Sequence, residues 1–233
     1  MLSAFTLLNS CNVKENEKIY HHLKFLCNQM NLHNCYVELK YSYGFNSNEN
    51  DELIINIEET SKINDFYRKY PYSLMGKVSY EVYQYMDSVE YNKMYSNIRM
   101  TTVINKKKIS SVYSISKLKL TKELINTVNI FLENCFEGNA GFAKDYIDEK
   151  HIPDSIFNSI LTGVNHMAEC GDIIRIDLMG LSYDKIKETE EEVTIIEKYV
   201  KRVNSEELFT IYMSNKDNKI IYINAQSTMK CKN

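Results

Sequence analysis

The stretch Ile98-Arg99-Met100-Thr101-Thr102-Val103-Ile104, Asn105-Lys106-Lys107-Lys108, Ile109-Ser110-Ser111-Val112-Tyr113-Ser114-Ile115 reads as two β-rich runs around a short polar turn. β-Branched and aromatic side chains suit a pleated, half-buried surface, so the pattern predicts a β-hairpin with a very basic tip. Two further hairpins flank it. Cys35 to Tyr43 alternates and leads through the polar turn Gly44 to Asp51 into Leu53 to Ile57. Near the end, Leu208 to Met213 and Ile220 to Ile223 enclose the turn Asn215-Lys216-Asp217-Asn218.

Helical periodicity fills the intervals. Ile19, Leu23, Leu26 and Met30 recur at spacings of four, three and four, the stripe of an amphipathic helix. Thr60 to Tyr70 predicts a short helix stopped by Pro71, since proline disfavours helical backbone in the residue before it. Ile125, Val128, Phe131, Leu132 and Cys135 predict a longer helix, with Thr121 as N-cap and Gly138 as exit. Helical character resumes from Phe142 to Glu149. A further helix begins at Pro153, carries Ile156, Ile160 and Val164, and ends at Cys170-Gly171 before a strand from Ile173 to Met179. Two segments fit either state: residues 76–95, with Val78, Val82, Tyr85 and Val89 at helical spacing but strand-like content, and Val193 to Val203.

Hairpins and helices in clusters, without regular β-α-β alternation, predict an α+β fold of antiparallel hairpins or a meander packed with amphipathic helices. With 7 glycines, no GxGxxG and no GxxxxGK[ST], Rossmann and P-loop cores are absent from the sequence. No fixed-period repeat or Ser/Gly/Pro-rich linker is present, so residues 1–233 are expected to form one compact unit, softly divided into 1–119 and 120–233. The excess of Lys, Asn, Ile and Tyr follows AT-rich codons and produces chance motifs. YxxxK, for instance, occurs at Tyr20, Tyr36 and Tyr183.

The net charge of -3 conceals a separation. Between Glu90 and Glu123 there is no acidic residue, while Lys93, Arg99, Lys106, Lys107, Lys108, Lys117, Lys119 and Lys122 give +8 over 32 residues, leaving -11 for the remainder. Lys106, Lys107, Lys108, Tyr113, Lys117 and Lys119 are the candidate binding residues. Lysines could neutralise a phosphate backbone while a tyrosine offers a stacking face. Without arginine forks such binding would be largely sequence-independent. An acidic protein partner fits the same patch, and lysines on an edge strand also discourage aggregation. Glu188 to Glu192, at the start of a helix, would simply suit its dipole.

The cysteines show no CxxC pair, and six in this length are far too few for a disulfide scaffold, which predicts a reducing, cytoplasmic setting. Leu8-Asn9-Ser10-Cys11 superficially matches a lipoprotein cleavage box that would make Cys11 an anchor, but the apolar run before it is short and lacks a basic flank. No apolar run is long enough for a membrane-spanning helix.

Catalytic and metal constellations are weak. His21, His22, Cys27, His33 and Cys35 offer donors at spacings that match no zinc motif, so no metal and no cofactor are expected. Gly138-Asn139-Ala140-Gly141 has the GxxG form of a nucleotide-clamping loop but is bracketed by acids and equally well explained as a helix exit. His166 and Cys170 share a helix face, and with Asp177 they form the one pocket a hydrolase reading would use. Tyr67, Tyr70, Tyr72, Tyr80, Tyr83, Tyr85, Tyr91 and Tyr95 concentrate in one segment, suiting either a core or a protein interface. The leading expectation is a non-catalytic, toxin-neutralising or accessory protein that occludes a protein partner. Nucleic-acid or phosphate-ligand binding through 93–122 is the second reading, and the hydrolase the third.

Overall fold

The structure is a computed structural model that describes residues 17–30, 32, 35–40, 52–57, 65–89, 95–104, 106–168 and 171–227. The chain divides into two compact units, Met1–Leu118 and Lys119–Asn233. Each combines helices with one four-stranded sheet, so the fold is α+β.

In the first unit, residues 17–29 form helix α1. Strands β1 (Cys35–Lys40) and β2 (Glu52–Ile57) follow, then α2 (Asp65–Lys69), α3 (Pro71–Ser88), β3 (Asn97–Ile104) and β4 (Lys107–Ser114). The sheet order is β1-β2-β3-β4. Both hairpins read from the sequence are antiparallel pairs, with Cys35 opposite Ile57 and Ile104 opposite Lys107. The polar turn Gly44 to Asp51 lies outside the described residues. The hairpins join through a parallel β2–β3 pair, and parallel neighbours require a long crossover, which α2 and α3 supply.

Pro71 does more than stop α2. It occupies the first turn of α3, where its missing N–H is not needed and its fixed φ already suits a helix. Residues 76–88 are therefore helical, and Leu74, Val78, Val82 and Met86 are all fully buried at four-residue spacing. The inward sheet positions Leu53, Ile55, Ile57, Ile98, Met100 and Ile104 are buried, as are Ile19, Leu23 and Leu26 of α1. Tyr67, Tyr80, Tyr83 and Tyr95 join this core, while Tyr70 and Tyr72 stay exposed. Most of the described tyrosine-rich segment is thus packing rather than interface.

Cys27, at 2% exposure in α1, forms a disulfide with Cys35 at the start of β1, eight residues on. The bond counts against the reducing setting expected from the cysteines, because cytosolic proteins rarely keep such bonds.

Helix α4 (Ile115–Phe136) begins six residues before Thr121, so Thr121 is not an N-cap. Ser114 caps instead, its Oγ accepting the Lys117 N–H at 3.2 Å. Thr121 is buried, and its hydroxyl shares a 2.8 Å hydrogen bond with the Tyr183 hydroxyl. The helix exits as expected at Gly138, whose φ of +78° favours glycine, and the Asn139 N–H closes onto the Asn134 carbonyl at 2.8 Å.

In the second unit, α5 (Ala140–Lys144) is shorter than the sequence predicts. The chain then turns so that Ile220 exchanges backbone bonds with Tyr146 and Asp148. Helix α6 (Asp154–Ala168) follows Pro153, and strands β5 (Ile173–Lys185), β6 (Glu192–Arg202), β7 (Glu206–Ser214) and β8 (Ile220–Ser227) form an antiparallel meander in sequence order. Residues 193–202 are strand. Glu188 to Glu191 lie in the β5–β6 turn, with Glu190 at φ +56°, so no helix dipole acts on them. Leu181, Ile196, Val200, Phe209, Ile211 and Met213 of the sheet are buried together with Leu124, Val128, Phe131 and Leu132 of α4. Among the described residues no helix is long and apolar enough to cross a membrane.

Candidate functional site: the basic β3–β4 hairpin

The sequence places eight cations between residues 91 and 122, and the fold sorts them by availability. Arg99 on β3 donates from Nε to Glu52 Oε2 of β2 at 2.9 Å, so its charge is already partnered. Lys93 lies outside the described residues. Lys117 is half-buried and Lys119 exposed, both on α4. Lys106 occupies the turn with φ +63°, a left-handed conformation that lets a two-residue connection match the twist of the strands. Lys107 and Lys108 begin β4, and both are exposed.

Tyr113 departs from its expected role. It is 3% exposed, and its burial pushes the phenol up to about 12. Strand alternation puts Tyr113 on the face of Lys107, Ile109 and Ser111, opposite to that of Lys108, Ser110 and Val112. Its ring is a core element and offers no stacking platform beside the lysines. Tyr95, the other tyrosine that the sequence sets near the lysines, is 5% exposed and equally unavailable.

Among the described residues β4 has one neighbour, β3, and stands at the edge of the sheet. The Ile115 N–H reaches the Ser96 carbonyl at 2.9 Å, which fixes the alternation of the ladder. Odd-numbered residues of β4 turn their N–H and C=O groups toward β3, and Lys108, Ser110 and Val112 turn theirs away from it. On the outer face, Ser110 Oγ is occupied by the Met100 carbonyl at 3.2 Å and by Thr101 Oγ1 at 3.3 Å. Val112 is 45% exposed. The result is a row of backbone groups without a strand partner among the described residues, with lysines at one end and an exposed valine toward the other.

No family model, curated protein or solved structure matches this chain.

Among the described residues the remaining candidates form no site. Among the described residues no group of three or more His, Cys, Asp or Glu could hold a metal ion. Cys27 and Cys35 are consumed by their disulfide. The His22 ring stacks on Tyr85 at 4.2 Å, and partial burial, opposed by a bond to the Glu81 backbone, holds its pKa below the ordinary value. His33 is outside the described residues. In the hydrolase constellation, Asp177 on β5 pairs with Arg175 Nε at 2.9 Å. His166 belongs to α6, but its side chain, like Cys170, lies outside the described residues, as does Cys11. Cys135 is buried, and burial drives its thiol up to about 12, the opposite of an activated nucleophile. Around the GxxG segment, Asn139 Nδ2 donates to Glu137 Oε2 at 3.2 Å, an arrangement for capping a turn rather than holding phosphate.

Proposed function

We propose that the protein is a non-catalytic binding factor that engages and occludes a protein partner through the β3–β4 hairpin. The observation that supports this reading best is the exposed edge of β4, where Lys107 and Lys108 adjoin the outward backbone groups of Lys108, Ser110 and Val112. Sheet edges with unpaired backbone groups pair readily with other chains, so an exposed one in a folded protein is either guarded or used. The lysines guard it against indiscriminate pairing while selecting for a partner of opposite charge.

Nucleic acid is the second reading of the same lysines. It has charge in its favour, but Tyr113 and Tyr95, the tyrosines that the sequence sets beside the lysines, are buried and cannot supply the stacking contribution typical of single-strand binders.

Affinity purification of the full chain from its native cells, alongside the Lys107→Glu/Lys108→Glu variant, tests the proposal. A stoichiometric protein recovered with the natural chain and lost with the variant is the expected result. Recovery of the same protein by both chains, or of nucleic acid alone, would overturn it.

A further inference from the structure

The β4 edge has features that say how a partner would be held and what chemistry it would carry. We propose that β4 accepts an extended acidic segment as a fifth, antiparallel strand of the first sheet. This rests on the hairpin being the binding surface, and adds the mode and the partner's character.

Backbone polarity comes first. Lys108, Ser110 and Val112 each direct an N–H and a C=O out of the sheet, at the spacing with which an added strand exchanges paired hydrogen bonds. Side-chain chemistry then sets the register. In an added antiparallel strand, the residues directly opposite Lys108, Ser110 and Val112 share their face. Carboxylates facing Lys107 and Lys108 gain opposite charge, for neither lysine has an ion-pair partner among the described residues. An apolar residue opposite Val112 would cover a side chain that is now 45% exposed.

No acidic residue falls between 91 and 122, so opposite charge reaches this segment only from elsewhere in the chain, as Glu52 does for Arg99. A segment that matches runs from an apolar residue to a pair of carboxylates, such as Val-Thr-Thr-Val-Glu-Glu. Nucleic acid would use the lysines but has no use for the alternating backbone donors and acceptors.

The test titrates the full chain with this hexapeptide, blocked at both ends, and follows amide hydrogen exchange by NMR. Binding should slow exchange at Lys108, Ser110 and Val112 and weaken as salt rises. A peptide N-methylated at its third residue loses the donor aimed at the Ser110 carbonyl, and should bind about tenfold more weakly. A version with both glutamates replaced by lysine should not bind. Because these controls alter the peptide, none depends on a variant protein folding. If the N-methylated peptide binds as well as the parent and the three amides stay unprotected, the strand-addition proposal fails while charge-based binding by the hairpin survives. Absence of binding, or protection of the three amides in the free chain through self-association, also overturns it. If the hexapeptide fails while a native partner is still lost with Lys107→Glu/Lys108→Glu, only the mode of binding is wrong.

Discussion

Arg99 and Glu52 meet across the parallel β2–β3 pair, Nε to Oε2 at 2.9 Å, and so remove one cation from the patch that the sequence displays as a single basic run. Their side chains are 42% and 19% exposed, which leaves the pair partly solvated. Exposed pairs contribute at most about 1 kcal/mol, so Glu52→Gln should shift the urea midpoint only slightly. It should also release Arg99 and increase the salt-sensitive binding of an acidic peptide at the hairpin. Unchanged or weaker binding would contradict a contribution of Arg99 to the patch.

A different ion pair is integral to the second unit. Arg202 and Glu207 lie 3.3 Å apart with side chains 3% and 0% exposed. The Arg202 Nη1 donates to the Gly171 carbonyl at 3.1 Å, its Cζ sits 4.7 Å from the Phe136 ring centre, and the Ser205 hydroxyl donates to Glu207 Oε1. Glu207→Leu leaves a buried guanidinium without its counter-charge and should cost ~3–5 kcal/mol in chemical denaturation. The double replacement Arg202→Met/Glu207→Leu should regain much of that loss. Additive single effects in this cycle would contradict a coupled pair.

The Cys27–Cys35 bond closes a short loop between α1 and β1. For a separation of eight residues the chain-entropy relation gives about 2–3 kcal/mol, so Cys27→Ser/Cys35→Ser should lower stability by roughly that amount. Peptide mapping without reductant should recover the two cysteines as one linked fragment. The buried Cys135 should resist alkylation until the chain is unfolded.

His22 gives the first unit a defined pH response. Its pKa in the folded chain lies below the ordinary 6.5, mainly through burial, so the unfolded chain binds more protons between those two values. The His22 contribution is complete above pH 6.5 and declines as pH falls toward the folded-state pKa. Replacing His22 with Phe, which keeps a ring to stack on Tyr85, should flatten that part of the stability profile. An unchanged slope would assign it to other groups.

Local pattern carried much of this fold, and non-local relations carried the rest. The Ile98–Ile115 and Leu208–Ile223 hairpins were legible because alternation and a polar turn are encoded within a few residues. Thr121 misled because Ser114, seven residues earlier, has the same capping chemistry at the strand-to-helix junction. The parallel β2–β3 pairing leaves no local signature because it joins segments distant in sequence, and the Cys27–Cys35 bond, though it spans only eight residues, matches no recognisable cysteine motif. At the candidate site, Lys107 and Lys108 were readable as exposed charge. The burial of Tyr113 was not, because strand alternation groups it with the exposed Lys107 as well as with Ile109. The edge position of β4 was not, because sheet order is a property of the whole unit.

Site-specific photo-crosslinking at Val112 in native cells tests the central claim most directly. A photoreactive residue there should yield one discrete protein adduct that disappears when Lys107 and Lys108 are changed to Glu. The same residue at Phe142, 67% exposed in the second unit, should not yield that adduct. No adduct at Val112, or the same adduct from both positions, would contradict binding through the β3–β4 hairpin.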